Sequence, residues 1–307
     1  MDTRRPITEA QVNSWLHMPA TIEAVRAAMI DQAAGRAVNL PRRRLRLGRS
    51  MMHLLAASWE SRGIYGHKSY NASPRGVEFL VILYYADGRP GVVIEADRLG
   101  QLRTGAASGV ASRALARPDS KVLGVIGSGY QMRTQVEAVC HELAIERVQV
   151  FSPTPANREQ FVRELSGRRE VELVAVDSVE AATDGADVIN VLTTAREPVL
   201  DARHLRPGVH VNAAGSNRPD RQELAADVFS SASLVVTDDL DQAREESGDL
   251  LAAETAGAFN WDNVARLADV VAEPPRRADD AITVFESHGI GLWDVAAAVT
   301  LLEELDG

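Results

Sequence analysis

Val122-Leu-Gly-Val-Ile-Gly-Ser-Gly129 sets an apolar run directly against a pair of glycines. A short run with β-branched residues and no polar alternation predicts a strand buried on both faces. Gly127 and Gly129 then predict a tight turn into a helix over residues 130–143. A glycine pair at such a strand-to-helix turn suits a dinucleotide. The first glycine allows the turn, and the second lets the backbone approach the pyrophosphate, which lies at the positive end of the helix dipole. The third position of that fingerprint is Met132 rather than Gly or Ala, a departure where close helix–strand packing favours a small residue.

An ordinary tight turn would use the same glycines, but the downstream sequence argues against it. From Lys121 onward, apolar runs at 121–126, 147–151, 171–176, 187–192, 208–213 and 233–237 alternate with helical stretches such as 130–143 and 155–166. That rhythm predicts βαβ units and a parallel sheet. Upstream the pattern differs. Ile22, Val25, Met29 and Ile30 predict an amphipathic helix over 20–34, and Val77–Tyr85 with Gly91–Glu95 predict a hairpin about Asp87-Gly88. Leu292, Val295, Val299 and Leu302 predict a final helix that packs back on the first domain. The fold class is α/β, and 307 residues suffice for two domains.

A formal net charge of −10 argues against a nucleic-acid partner, which needs concentrated Lys and Arg; the run Arg42–Arg46 is too short to reverse it. The lone Cys140 excludes an intrachain disulfide framework. The N-terminus lacks an apolar signal region, and no apolar run reaches the ~18 residues of a membrane span, so no membrane association and a cytoplasmic location are expected. The histidines show no metal-ligand spacing, so no metal is expected either. Asp238, Asp239, Asp241, Glu245 and Glu246 read as a solvated helix start.

An NAD site places Asp or Glu at the end of the second strand, roughly 20–25 residues past the turn, to hold the ribose hydroxyls. Here that stretch offers Ser152, Thr154 and Arg158 and no carboxylate. These groups suit a 2′-phosphate, so NADPH is favoured, with NADH possible.

Arg103-Thr-Gly-Ala-Ala-Ser-Gly-Val-Ala111 followed by Ile126-Gly-Ser-Gly-Tyr-Gln131 resembles the ornithine cyclodeaminase/μ-crystallin family. Gly66-His-Lys68, Arg196-Glu-Pro-Val-Leu200 and Gly289-Ile-Gly-Leu-Trp-Asp-Val-Ala296 agree with that family's strand, loop and C-terminal helix. The resemblance implies a Rossmann domain, residues 117–286, inserted into a mixed-sheet α+β substrate and dimerisation domain, residues 1–116 and 287–307. It also implies a homodimer. Lys68, Arg103 and a third cation, Arg42 or else Arg44, would clamp a substrate α-carboxylate. Fixed cations orient such a group so that its α-carbon faces the nicotinamide. Alternation toward Leu45 and Leu47 favours Arg42, and Arg103, read as preceding a small-residue helix, would need an anionic partner. The implied cofactor set is Thr104, Gly127, Ser128, Gly129, Tyr130, Gln131, Ser152, Thr154, Arg158, Thr193, Thr194 and Asn217.

One departure bears on the chemistry. Ornithine cyclodeaminases carry an Asp where Ala214-Gly-Ser-Asn217 places Asn217, and an amide is a poor general base. The stretch Met52–Leu55 also lacks the family's ornithine-positioning Glu. The resemblance therefore points to the reductase branch: hydride transfer to a 2-imino acid, with Lys68, Arg103 and Asn217 as the catalytic set. The competing expectations are ornithine cyclodeamination, oxidation of an L-amino acid with NAD+, and a protein that binds NADPH and a small acid without turnover.

Overall fold

A computed structural model describes residues 6–167 and 170–306. Its contacts divide the chain into two compact units, Met1–Ala107 with Ile290–Gly307, and Ser108–Gly289. The units part at 107/108 and 289/290, whereas the resemblance puts the boundaries at 116/117 and 286/287.

The first unit opens with α1 (Glu9–Trp15), whose N-terminus is closed by a reciprocal cap between Thr8 and Gln11. Next comes α2 (Met18–Ala33), with a proline in its first turn. Its buried stripe is Ile22, Val25 and Met29; Ile30 turns outward and is 41% exposed. The sheet comprises β1 (Ala37–Asn39), β2 (Arg43–Leu47), β3 (Ser50–Trp59), β4 (Ile64–Ser73), β5 (Gly76–Tyr85) and β6 (Val92–Glu95). Their order is β1-β3-β4-β5-β6, with β2 also paired to β3. All these ladders are antiparallel, and a parallel bridge at Ile7 and Ile94 makes the sheet mixed. The expected hairpin is β5–β6, though its register pairs Leu83 with Val92. Asp87-Gly88 therefore lies within a longer connection.

Helix α3 (Asp97–Leu115) follows. The second unit holds β7 (Val122–Ile126), α4 (Met132–Glu142), β8 (Arg147–Phe151), α5 (Pro155–Leu165), β9 (Glu172–Ala175), α6 (Val179–Thr183), β10 (Val188–Val191) and β11 (His210–Ala213). It continues with α7 (Ala226–Ser231), β12 (Leu234–Thr237), α8 (Leu240–Glu246), α9 (Gly248–Thr255), β13 (Val264–Arg266), α10 (Leu267–Ala272) and β14 (Thr283–Glu286). The strands form one parallel sheet in the order β13-β12-β14-β11-β10-β7-β8-β9. Six expected strands are present. The sequence reading lacked β13 and β14, and β14 lies inside the sheet between β11 and β12.

The strand order reverses between β7 and β10, because β8 and β9 extend to one side and β10 and β11 to the other. A crevice at the carboxyl ends of strands flanking such a reversal is where doubly wound folds hold nucleotides. Two apolar clusters support it. Leu123, Val125, Met132, Val148 and Phe161 belong to one, and Val211, Leu224, Phe229, Leu250 and Val284 to the other.

The chain closes with α11 (Gly291–Asp306), in the first unit, packed on α2, β3 and β4. Trp293 is fully buried there, and its Nε1 donates to Met29 Sδ at 3.3 Å. Among the described residues no helix is long and apolar enough to cross a membrane.

Candidate active site

The crevice of the second unit encloses a cleft of about 520 Å³. Its floor is Gly127, Ser128, Gly129, Tyr130 and Gln131; Phe151, Ser152 and Pro153 form one wall, and Thr193, Thr194, Ala195, Ala214 and Gly215 the other. The turn is built for close approach. Gly127 has φ +113°, and a Cβ there would run into the Leu192 carbonyl. At Gly129 a Cβ would meet nothing within 4 Å, so the missing side chain leaves open space beside the start of α4. Gln131 adds a buried Oε1 with no hydrogen-bond partner among the described residues. This cradle fits a pyrophosphate, and its two walls fit the two halves of a dinucleotide. Met132, the odd residue of the fingerprint, is fully buried in the core beneath the sheet.

Ser152 is buried at the end of β8, and Ser128 Oγ donates to Ser152 Oγ at 2.9 Å. Arg158 is also buried. Its Nη1 donates to the Ser152 carbonyl at 3.0 Å, and its Nη2 pairs with Asp177, whose side chain is 95% exposed. Arg158, offered by the sequence for a 2′-phosphate, is thus already engaged by two groups of the chain. Thr154, Arg158 and the half-buried Asn217 lie outside the lining of the cleft. Thr104 belongs to the first unit, where its hydroxyl donates to the Gly100 carbonyl at 2.7 Å.

In the first unit, Arg42, Lys68 and Arg103 are all buried and close together. Lys68 comes from the middle of β4. Its Nζ lies 3.3 Å from Asp294 Oδ1 and 5.1 Å from the centroid of Phe79. Arg103 Nε donates to the same Asp294 Oδ1 at 3.0 Å. Arg42 Nη1 donates to Tyr70 Oη at 2.7 Å, and Tyr70 stacks on His53 with centroids 4.2 Å apart. Burial drives the Lys68 ammonium down to about 8, helped by Arg103 and opposed by Asp294. Burial, with Arg42 and Arg44, lowers His53 to about 4, so its imidazole is neutral at pH 7. Gly100 faces this cluster, and a Cβ there would sit 2.5 Å from Lys68 Nζ.

Two readings need correction here. Arg103 does not precede a helix but lies inside α3, so no helix terminus bears on its charge. The anion it meets within the chain is Asp294, from α11. Alternation toward Leu45 and Leu47 is not what selects Arg42, because both leucines point outward, 69% and 85% exposed. Arg42 is buried because it precedes β2 and reaches Tyr70, while Arg44, on the strand, is half-buried.

The sequence profile of the ornithine cyclodeaminase/mu-crystallin family matches residues 6–307. The chain belongs to that family. It is 33% identical over 233 residues to ketimine reductase mu-crystallin of Rattus norvegicus, covering 76% of this chain and 71% of that one. The structure resembles that of Thermococcus litoralis Delta(1)-pyrroline-2-carboxylate reductase in complex with NADH and L-proline, with TM-score 0.91 and 30% identity over 97% of this chain and 96% of the other. An archaeal alanine dehydrogenase dimer with bound NAD matches with TM-score 0.90 and 31% identity over 97% and 94% of the two chains.

For this member of the cyclodeaminase/crystallin family, sequence reasoning missed the buried carboxylates. Asp294 lies within the quoted C-terminal motif, yet its neighbours Leu292 and Val295 draw attention to helical spacing alone. In the second unit, Glu223, Asp249 and Glu286 are buried as well, and so are Asp238 and Glu246. The acidic set is therefore not uniformly solvated. Asp239 caps α8 by accepting from Gln242 N, while Asp238 accepts from the amides of His288 and Gly289.

Proposed function

We propose that this chain reduces a small 2-imino acid to the amino acid, with hydride from a reduced nicotinamide dinucleotide bound in the Gly127–Gln131 cleft. The observation that carries this reading is the surplus of buried positive charge in the first unit. Lys68 and Arg103 share one carboxylate, Asp294, among the described residues. A buried cation without full compensation is costly, and a substrate carboxylate offsets that cost. The bound nicotinamide supplies the hydride that the chain's own side chains cannot. Lys68 and Arg103 hold the acid group through charge-assisted bonds, and Lys68, brought down to about 8, holds a proton that it can release near neutral pH.

The half-buried Asn217 in the loop after β11 supports reduction over cyclodeamination, because an amide does not titrate as a base. The absence of a carboxylate at Ser152–Thr154 supports NADPH as the preferred donor, with NADH as the weaker one. Exposed apolar residues on β1 to β3 and beside them, Leu40, Leu45, Leu47 and Met52, support a homodimer formed through the first unit.

The deciding experiment supplies a cyclic 2-carboxy ketimine with NADPH and follows loss of the reduced nicotinamide absorbance, against ornithine or alanine with NAD+. Oxidation of NADPH by the ketimine is expected. Turnover of ornithine alone would overturn the reading, and tight NADPH binding without turnover across a panel of imines would leave a binding protein.

A further inference from the structure

We propose that Glu223 is a positioning residue for the nicotinamide half of the cleft: its carboxyl group clamps the loop after β10 to the turn after β11. This rests on the nucleotide reading above and goes beyond it, because Glu223 does not line the cleft. Its two oxygens are divided between the two strand ends. Oε1 accepts from Thr193 N and Oε2 from Gly215 N, the latter at 2.8 Å. The Glu223 carbonyl accepts from Val199 N at 2.8 Å and Leu200 N at 3.1 Å. One residue thus holds both ends of the loop from Thr193 to Leu200. Four of that loop's residues, Thr193, Thr194, Ala195 and Val199, line the cleft.

The clamp is itself anchored. Glu223 N and Leu224 N donate to Asp249 Oδ1 at 2.7 and 2.9 Å, near the start of α9. Asp249 faces Glu286, at the end of β14. Burial and the neighbouring carboxylates of Asp249 and Glu223 raise Glu286 well above its ordinary range. Burial also pushes Glu223 up to about 8, against the pull of its two amide donors. Gly215 has no side chain because there is no room for one. A Cβ would strike the Glu223 carboxyl group.

The clamp sits on the β10 and β11 side of the reversal in strand order, while β8 with Ser152 carries the other half of the cleft. In a doubly wound fold the second strand holds the adenosine ribose, so the clamped loops belong to the nicotinamide. Loosening them therefore affects one half of the dinucleotide only.

Glu223→Gln tests this, because a carboxamide offers one acceptor and turns an N–H donor toward the other amide. Calorimetry above pH 8, where the Glu223 carboxyl group is ionised, would compare NADPH with 2′-phospho-ADP-ribose, which lacks the nicotinamide. NADPH affinity is expected to fall about tenfold while the truncated ligand changes by less than about twofold, as for one buried amide left unpaired. Gly215→Ala, which displaces the carboxyl group without removing it, should give the same split. Equal losses for both ligands, or no loss for either, would overturn the clamp. Amide hydrogen exchange on the ligand-free wild type is a second test that needs no variant. Thr193 and Gly215 should be protected relative to exposed loop amides, and exchange at open-loop rates would rule the clamp out. If the wild type bound no dinucleotide, the nucleotide reading would fall and the positioning role with it, whereas slow exchange would still report the bonds themselves.

Discussion

Lys68 Nζ lies 3.3 Å from Asp294 Oδ1, and both side chains are closed to solvent. A buried pair of this kind is governed by what each partner does to the other's proton. Burial lowers Lys68 to about 8, and Asp294 keeps it from falling further. The free enzyme's kcat/KM for an imino acid should therefore decline as pH rises through about 8, since a neutral amine no longer attracts the carboxylate. In Asp294→Asn the decline should begin roughly one pH unit lower, because an opposite charge at this range shifts a pKa by about one unit or more. The variant should also lose about 3–5 kcal/mol of stability by stranding two buried cations. An unmoved pH limb would show that Lys68 is not the titrating group.

The same displacement gives a stability signature. The unfolded lysine titrates near 10.5 and the folded one near 8, so between these values the unfolded chain holds more protons. Stability through Lys68 therefore rises with pH across that window and is lowest below it. Denaturant titrations between pH 7 and 10 should show wild type gaining stability relative to Lys68→Met as the pH rises.

Gly100 sets the space for the lysine. Alanine there would place a Cβ 2.5 Å from Lys68 Nζ, the far end of a flexible side chain, so the fold should tolerate it while the ammonium moves. Gly100→Ala should raise KM for the imino acid roughly 10- to 100-fold, the scale of a misplacement near 1 Å. Dinucleotide affinity, measured by titration, should stay unchanged. A parallel loss of both would mean that the substitution disturbs more than the clamp on the acid group.

The two turn glycines should separate structure from binding. At Gly127 the backbone has φ +113° and no room for a Cβ, so Gly127→Ala should cost about 1–3 kcal/mol or more in unfolding free energy. At Gly129 nothing stands within 4 Å, so Gly129→Ala should unfold like the wild type yet bind dinucleotide about tenfold more weakly, its methyl occupying the cradle. Thermal melts and calorimetry on the pair would check this, and equal stability of both variants would refute the account of the turn.

The parts legible in the sequence were those that periodicity or glycine chemistry announces. The run Val122–Ile126 with Gly127 and Gly129 gave the nucleotide unit, and the alternation behind it gave six of its eight strands. Thr283–Glu286 escaped because it follows a Pro- and Arg-rich stretch and ends in a carboxylate, which reads as surface. Yet Glu286 is buried, and its strand lies between β11 and β12. Lys68 and Arg103 were visible as residue types in motifs, but their shared partner Asp294 is 226 residues from Lys68. Such a pairing depends on tertiary structure. Alternation toward Leu45 and Leu47 is no guide to the buried arginine for a related reason. Strand periodicity gives two faces without saying which one the core occupies.

Arg158 tests the choice of nucleotide. It is held by the Ser152 carbonyl and by Asp177, and the exposure of Asp177 makes that pair a weak, screened one that a 2′-phosphate can replace. Arg158→Ala should weaken NADPH binding about tenfold and NADH binding far less, reducing the ratio of the two dissociation constants. Because the guanidinium also holds the end of β8, Arg158→Lys is the better control for the fold, and it should keep part of the preference. A ratio unchanged in Arg158→Ala would transfer discrimination to Ser152 and Thr154.

Leu45 and Leu47 point outward from β2 at 69% and 85% exposure, on a strand that ladders with β3. Large aliphatic side chains side by side on an exposed sheet face are costly in water, and a second copy covering them removes that cost at about 25 cal/mol per Å² of apolar surface. Leu45→Glu with Leu47→Glu puts like charges on both sides of such an interface, so repulsion adds to the lost burial. Light scattering should report a dimer for the wild type and a monomer for the double variant at the same concentration. Since neither leucine lines the Gly127 cleft, calorimetric affinity for NADPH should survive the change. A wild type that scatters as a monomer would remove the assignment of this face to self-association.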